Sequence, residues 1–170
     1  MQKSKAKSTE PAARRPYMPE YGLKPADEGQ GLLPWSWARE RLEHAHNYWI
    51  ATSQPDGRPH VTAVWGLWLE DAFYFSAGRI SRKAKNLEHN PNCVVTTESA
   101  VEAVIVEGAT ELISEQTDLD HISRLYKMKY TTGYPEDSNV YSVRPKTVFG
   151  FIEHEPEFSG SSTRWEFRSG

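Results

Sequence analysis

Val61-Thr-Ala-Val-Trp-Gly-Leu-Trp68, a Leu69-Glu-Asp71 turn, Ala72-Phe-Tyr-Phe-Ser76 and then Ala77-Gly-Arg-Ile-Ser-Arg-Lys-Ala-Lys-Asn-Leu87 follow one another without a break. How this stretch is read decides the fold. Its first and third parts are β-prone runs around a short turn and predict a hairpin, while its last part predicts a tight loop opening a short helix. Arg79, Arg82, Lys83 and Lys85 gather at that helix start, where the backbone N–H groups already carry about half a positive charge. No acidic residue stands between Asp71 and Glu88 to offset them. With Ser81 as N-cap and free N–H groups beside four cations, the arrangement suits a phosphate. The competing reading is a solvated basic face, since exposed charges cost little. Crowding of like charge at a helix N-terminus weighs against it.

Toward the N-terminus, Gln54-Pro-Asp-Gly57 is a turn signal that joins a strand from Arg58 to Leu69 to a preceding strand from Tyr48 to Ser53. Trp35, Ala38, Leu42 and Ala45 recur at helical spacing, so Pro34 to His46 is expected to be a helix. Residues 1–31 hold Lys3, Lys5, Lys7, Arg14, Arg15 and four prolines with no apolar periodicity, and are expected to be a flexible arm. Residues 32–170 are then one domain.

Toward the C-terminus, Asn90-Pro91 ends the helix Arg82 to His89. Strands are expected from Asn92 to Glu98, from Glu102 to Ile113 and from Val140 to Glu153. Gly108 in mid-strand marks a bulge or a close backbone approach, and Pro145 an edge or a bulge. Gln116 to Tyr130 reads as a helix with Leu119, Ile122, Leu125 and Tyr126 on one side. Thr-Arg-Trp-Glu-Phe near the end reads as a last strand. About six strands in hairpin order with inserted helices predict a mainly β, antiparallel, barrel-like domain.

Composition narrows the function. At 170 residues the chain supports one core. A net charge of −3 argues against a general nucleic-acid binder. One cysteine, Cys93, excludes an internal disulfide and a multi-cysteine metal site. Neither a membrane span nor a signal peptide is legible, so a cytoplasmic setting with no membrane partner is expected. His44 and His46 lie two apart across a helix end, which does not place them on one face, so no metal site is expected.

The ordered set Pro-Asp-Gly-Arg-Pro-His before a strand, Phe-Tyr-Phe-Ser after it, Ser81-Arg-Lys-Ala-Lys-Asn-Leu, Asn90-Pro and Val106-Glu-Gly-Ala resembles the FMN-binding split barrels of the pyridoxamine 5′-phosphate oxidase superfamily, especially the flavin/deazaflavin oxidoreductase branch. The resemblance runs from about Trp37 to Phe167. It implies a six-stranded antiparallel split barrel and a homodimer with sites at the interface. It also implies an FMN or deazaflavin F420 cofactor. By position it puts Ser81, Arg82 and Lys83 on the phosphate, with Arg79 in the same loop and Thr62 where the oxidases carry arginine. Val64 presents main chain to the ring, Ser76 lies near the ribityl chain, and Trp165 with Arg164 either completes a partner's site or serves the core. The two extra loop residues Arg79 and Ile80, and the loss of a cation at Thr62, favour the deazaflavin branch over oxidation of pyridoxamine phosphate.

No protein nucleophile stands out, and a cofactor of this type needs none. Glu107 is a candidate base, although a strand glutamate is more often exposed or paired. Tyr48, Trp49, Trp65 and Trp68 are candidates to line the substrate side. Trp65 and Trp68 belong on opposite strand faces. Two further functions stay open: a non-catalytic module that sequesters flavin, haem or tetrapyrrole, and an oligonucleotide-binding barrel.

Overall fold

A computed structural model describes residues 10–168. In chain order its elements are β1 (Ala12–Arg14), α1 (Trp35–His44), β2 (Tyr48–Ser53), β3 (Pro59–Val64), β4 (Gly66–Leu69), β5 (Ala72–Gly78), α2 (Arg82–His89), β6 (Asn92–Thr97), β7 (Glu102–Leu112), α3 (Gln116–Tyr130), β8 (Ser138–Ile152), α4 (Glu157–Ser161) and β9 (Thr163–Glu166). The helices α2 and α3 fall where the sequence places them, and every described strand pairing is antiparallel.

The sheet has nine strands rather than six, and it does not close into a barrel. Its order is β1-β9-β8-β7-β6-β2-β3, with β5 pairing β8 and β4 pairing β5. Part of the difference from six lies in the opening stretch, where the single strand expected from Arg58 to Leu69 breaks at Trp65. Its first half, β3, pairs β2, and its second half, β4, pairs β5. Gly66 permits this step: a Cβ there would lie 2.2 Å from the Phe73 ring and 2.7 Å from the Tyr74 carbonyl oxygen. The β4–β5 turn follows at once, with Glu70 and Asp71 both at positive φ, as a two-residue hairpin turn requires.

Gly108 and Pro145 are both explained by one bulge. Glu107 faces Thr147 and Gly108 faces Pro145, so Lys146 is the extra residue in β8. A Cβ on Gly108 would sit 2.3 Å from the Arg144 carbonyl oxygen.

The core lies between the inner sheet face and α1. Trp35, Leu42, Tyr48, Phe73, Phe75, Val95, Val106, Val148 and Trp165 are all buried in it. A smaller cluster of Leu67, Ile122, Tyr126, Tyr130 and Val140 seats α3 against β4 and β8. Trp68 lies in the first cluster and Trp65, at the break between β3 and β4, is exposed.

Within residues 1–31, expected to be a flexible arm, 1–9 lie outside the described residues. The part from 10 onward is docked. β1 pairs β9, Arg14 ion-pairs with Glu166, and the Arg15 guanidinium donates to the carbonyls of Gly160 (2.6 Å), Ser162 (2.8 Å) and Lys24 (3.0 Å). Backbone pairing and two arginines hold it, and neither leaves an apolar period in the sequence. No described helix is long and apolar enough to cross a membrane.

Candidate functional site

The site begins at the start of α2. Ser81 is its N-cap, extended in backbone, and its Oγ accepts the Ala84 N–H at 3.2 Å. No acidic side chain occupies the first turn. Asn86, buried, donates to Thr52 Oγ1 at 2.9 Å and so fixes the helix against β2. That docking turns Lys83 toward β3, where its ammonium donates to Thr62 Oγ1 at 3.3 Å. Lys83 is half-buried, and burial pushes its ammonium below the usual lysine value. No carboxylate pairs with it among the described residues. Arg82 goes the other way, donating to Gln54 Oε1 at 2.7 Å beside the exposed Lys85.

β3 is the open edge of the sheet: within the described residues it pairs β2 on one side and no strand on the other. The Gln54 N–H donates to the Arg58 carbonyl at 2.9 Å, which makes that turn-closing pair a hydrogen-bonded one. Bonded and non-bonded pairs alternate along an antiparallel ladder. By the register, His60, Thr62 and Val64 therefore exchange backbone bonds with β2, whereas Val61 and Ala63 turn their N–H and C=O groups outward. Val64, expected to offer its main chain to a ring, thus has its own backbone groups turned toward β2. Val64 is bonded to Tyr48, and the outward groups belong to its neighbours.

At the far end of this edge lies a cleft of about 440 Å3. Ala63, Val64 and Trp65 form one wall, Ser76 on β5 another, and Tyr126 with the loop residues Thr132, Gly133 and Pro135 the third. Trp65 is held from two sides. Its ring stacks on Tyr130 at 4.7 Å and 7° between planes, and its indole N–H donates to Asn47 Oδ1 at 3.1 Å. Asn47 in turn donates to Glu98 at 2.8 Å, which, with the His46 N–H, keeps that carboxyl below its usual range.

Behind the stack, the Tyr130 hydroxyl accepts the Gly66 N–H at 3.0 Å. It also lies within donating distance of the His46 and Gly66 carbonyls, at 2.8 and 2.9 Å. The Lys129 ammonium contacts Tyr48 Oη at 3.0 Å, the Gly66 carbonyl at 3.1 Å and the Glu43 carbonyl at 3.5 Å. Burial brings its pKa down to about 8.

Of the residues expected at a site, Thr62, Ser81, Arg82 and Lys83 come together around the start of α2, and Val64 and Ser76 line the cleft. Arg79 is exposed and joins neither group; its N–H donates to the Asp137 carbonyl at 3.3 Å. Of the two roles left open for Trp165, the structure shows the core one. It is 1% exposed, packs edge-on against Trp35 at 5.5 Å and fills the space over Gly150. Asn47, Tyr126, Tyr130 and the loop after α3 had not been foreseen as site residues. Tyr126, Tyr130 and Tyr134 recur every four residues, a signal that reads equally as core.

Comparison with known proteins follows the same outline. The family model described as pyridoxamine 5′-phosphate oxidase matches residues 37–151. Among solved structures, an F420 reductase is 23% identical over 65% of this chain and 94% of its own, with a TM-score of 0.55. General Stress Protein 26 from Bacillus anthracis is 17% identical over 71% and 94%, with a TM-score of 0.58. A haem-binding protein from Mycobacterium smegmatis is 17% identical over 73% of this chain and 57% of its own, with a TM-score of 0.61. At these identities the likeness speaks for the fold alone. No curated protein matches the sequence.

Proposed function

We propose that this chain, which belongs to the pyridoxamine 5′-phosphate oxidase family, is an oxidoreductase that binds FMN or the deazaflavin F420. Its reaction is hydride transfer to or from a small planar or unsaturated molecule. The observation that carries this reading is Lys83: a half-buried cation without a carboxylate partner among the described residues, beside Thr62 and a capped helix start. A desolvated cation of this kind is stabilised when a phosphate arrives.

The residues fit such a cofactor at both ends. Lys83, Thr62, Ser81 and Arg82 would hold the phosphate. The outward N–H and C=O groups of Val61 and Ala63 match the donors and acceptors on the rim of a flavin-type ring. When bound, the cofactor supplies the hydride chemistry, which no side chain here provides. The chain's own part is to fix the phosphate, orient the ring along β3 and exclude water with the aromatic wall around Trp65.

The reading extends to a homodimer. Ala63, Trp49, Thr96, Ile105 and Phe149 lie in register across five strands on the outer sheet face, and Trp49 is 48% exposed. A mostly apolar row of that width, broken only by Thr96, favours burial against a second copy.

The test is incubation of the full chain with FMN and, separately, with F420, followed by gel filtration, absorbance and native mass. One cofactor is expected to be retained per chain and to be reduced and reoxidised over many cycles. Retention without turnover moves the function to sequestration, and retention of neither overturns the reading.

A further inference from the structure

We infer that the outer face of the sheet holds a separate binding site beside the β7–β8 bulge, and that its ligand is a compact zwitterion with an apolar side, of the amino-acid class. The inference stands apart from the oxidoreductase reading and needs no cofactor. A cleft of about 460 Å3 lies there. Ala51, Val94, Glu107 and Thr147, in register across β2, β6, β7 and β8, line it. Their chain neighbours Ile50, Val95, Val106 and Val148 are buried in the core with Ala84 and Leu87 of α2, so the cleft and α2 lie on opposite faces of the sheet.

Two opposite charges line this cleft without meeting. The Glu107 carboxylate is exposed and has neither a hydrogen-bond nor an ion-pair partner among the described residues. Lys146 is the extra residue of the bulge, and its side chain crosses β7: the ammonium donates to Asn92 Oδ1 on β6 at 3.0 Å. Asn92 is itself fixed, its Nδ2 donating to Asn90 Oδ1 at 2.9 Å. An ammonium has three donors, and this contact uses one. A ligand that brings an ammonium to Glu107 and a carboxylate to Lys146 completes both groups with charge-assisted bonds. Ala51, Val94 and Pro59 offer apolar surface to the rest of it. Glu107, the candidate base, is separated from β3 by β2 and β6, about 14 Å at ordinary strand spacing, too far within one chain to act at that edge. The face changes character here. The row proposed for a second copy runs through Trp49, Thr96 and Ile105, two residues away along each strand, and the row through Glu107 carries a free charge that a second copy would have to desolvate.

The experiment is calorimetric titration of the full chain with L-leucine, with leucinamide, which lacks the carboxylate, and with 4-methylpentanoate, which lacks the amine. Leucine should bind in the millimolar range, and each truncated probe about fivefold more weakly, the modest factor of a charged contact open to water. Lys146→Met should weaken leucine about fivefold and leave leucinamide unchanged. Glu107→Gln should weaken leucine about fivefold and leave 4-methylpentanoate unchanged. That crossed pattern assigns each end of the ligand to one side chain, and a general loss of structure cannot imitate it. Both side chains are exposed, so both variants should keep the circular dichroism of the original chain. Absence of leucine binding, a truncated probe that binds as well as leucine, or equal losses for all three probes in either variant overturns the inference. So does a change of oligomeric state on gel filtration without the crossed pattern, which would make the two charges contacts between copies. FMN and F420 retention is a separate measurement: its failure removes the oxidoreductase reading and leaves this site standing.

Discussion

Thr62 and Trp65 are three residues apart on the same edge of the sheet, and their surroundings are chemically opposite. Beside Thr62 stand the Lys83 ammonium and a capped helix start, with the Arg82 guanidinium turned away toward Gln54. Around Trp65 stand tyrosines, a carboxamide and an uncharged loop. A short strand can hold both because its two neighbours come from different parts of the chain: α2 packs on the sheet beside one end, and α3 pins the other through Gly66. The contrast separates a cationic end, which on the proposed function takes the anionic part of a cofactor, from an uncharged one at the step.

The strongest way to break the comparison is at the charged end. Replacing Arg82 and Lys83 together with alanine should weaken FMN or F420 binding by roughly 3 kcal/mol or more, because a charge-assisted contact contributes about 1.5–3 kcal/mol. The apo fold should stay intact, and calorimetric titration beside circular dichroism checks both. An affinity equal to that of the original chain would remove the phosphate from that end.

Next in size is the step itself. Gly66→Ala places a methyl group against the Phe73 ring and the Tyr74 carbonyl oxygen. It should destabilise the fold by roughly 3 kcal/mol, the upper range for overpacking. Urea unfolding measures it, and a loss below 1 kcal/mol, an order-of-magnitude threshold for ordinary repacking, would mean that the step tolerates a side chain.

Tyr130→Phe sharpens the neutral end. It leaves the Trp65 stack but deprives the Gly66 N–H of its acceptor, at a cost of about 1–3 kcal/mol. Phosphate-end binding, read with inorganic phosphate or FMN, should be nearly unaffected.

The smallest effect is a pH dependence. Burial lowers Lys129 to about 8, so above that pH the unfolded chain binds more protons at this site than the folded one. Stability should therefore rise as pH goes from about 8 toward 10, where an unperturbed lysine begins to lose its proton. Beyond that, Tyr126, raised to about 12 by burial, opposes the gain, because the folded state then holds the extra proton. Lys129→Met should flatten the profile between pH 8 and 10 in denaturant titrations, and an unchanged slope would show that the ammonium is not desolvated.

Both ends were unequally legible. The start of α2 was readable because caps, cation runs and the Asn90-Pro91 stop are local signals, and α2 occupies the expected residues. The neutral end was readable only in part: Val64, Trp65 and Ser76 were expected at a site, and its other walls were not. Asn47, Trp65 and Tyr130 lie far apart in sequence, and each alone reads as packing. The backbone groups on the open edge were not legible for a related reason: which residues of β3 face outward depends on hydrogen-bond phase with β2, and side-chain alternation does not reveal it. Trp165 looked like a site residue by position in a family pattern, yet its ring fills the core over Gly150.

By itself, then, the sequence determined the mainly β antiparallel class, the helices α2 and α3, the cationic helix start and an irregularity in the strands at Gly108 and Pro145. These follow from periods, caps and forbidden backbone geometries, which act over a few residues. Only the tertiary structure decided that the strand after Arg58 breaks at Trp65, that residues 10–31 dock through Arg14 and Arg15, and that α3 supplies the aromatic wall. Those outcomes depend on which distant surfaces meet, and contacts between distant residues leave no period in the chain.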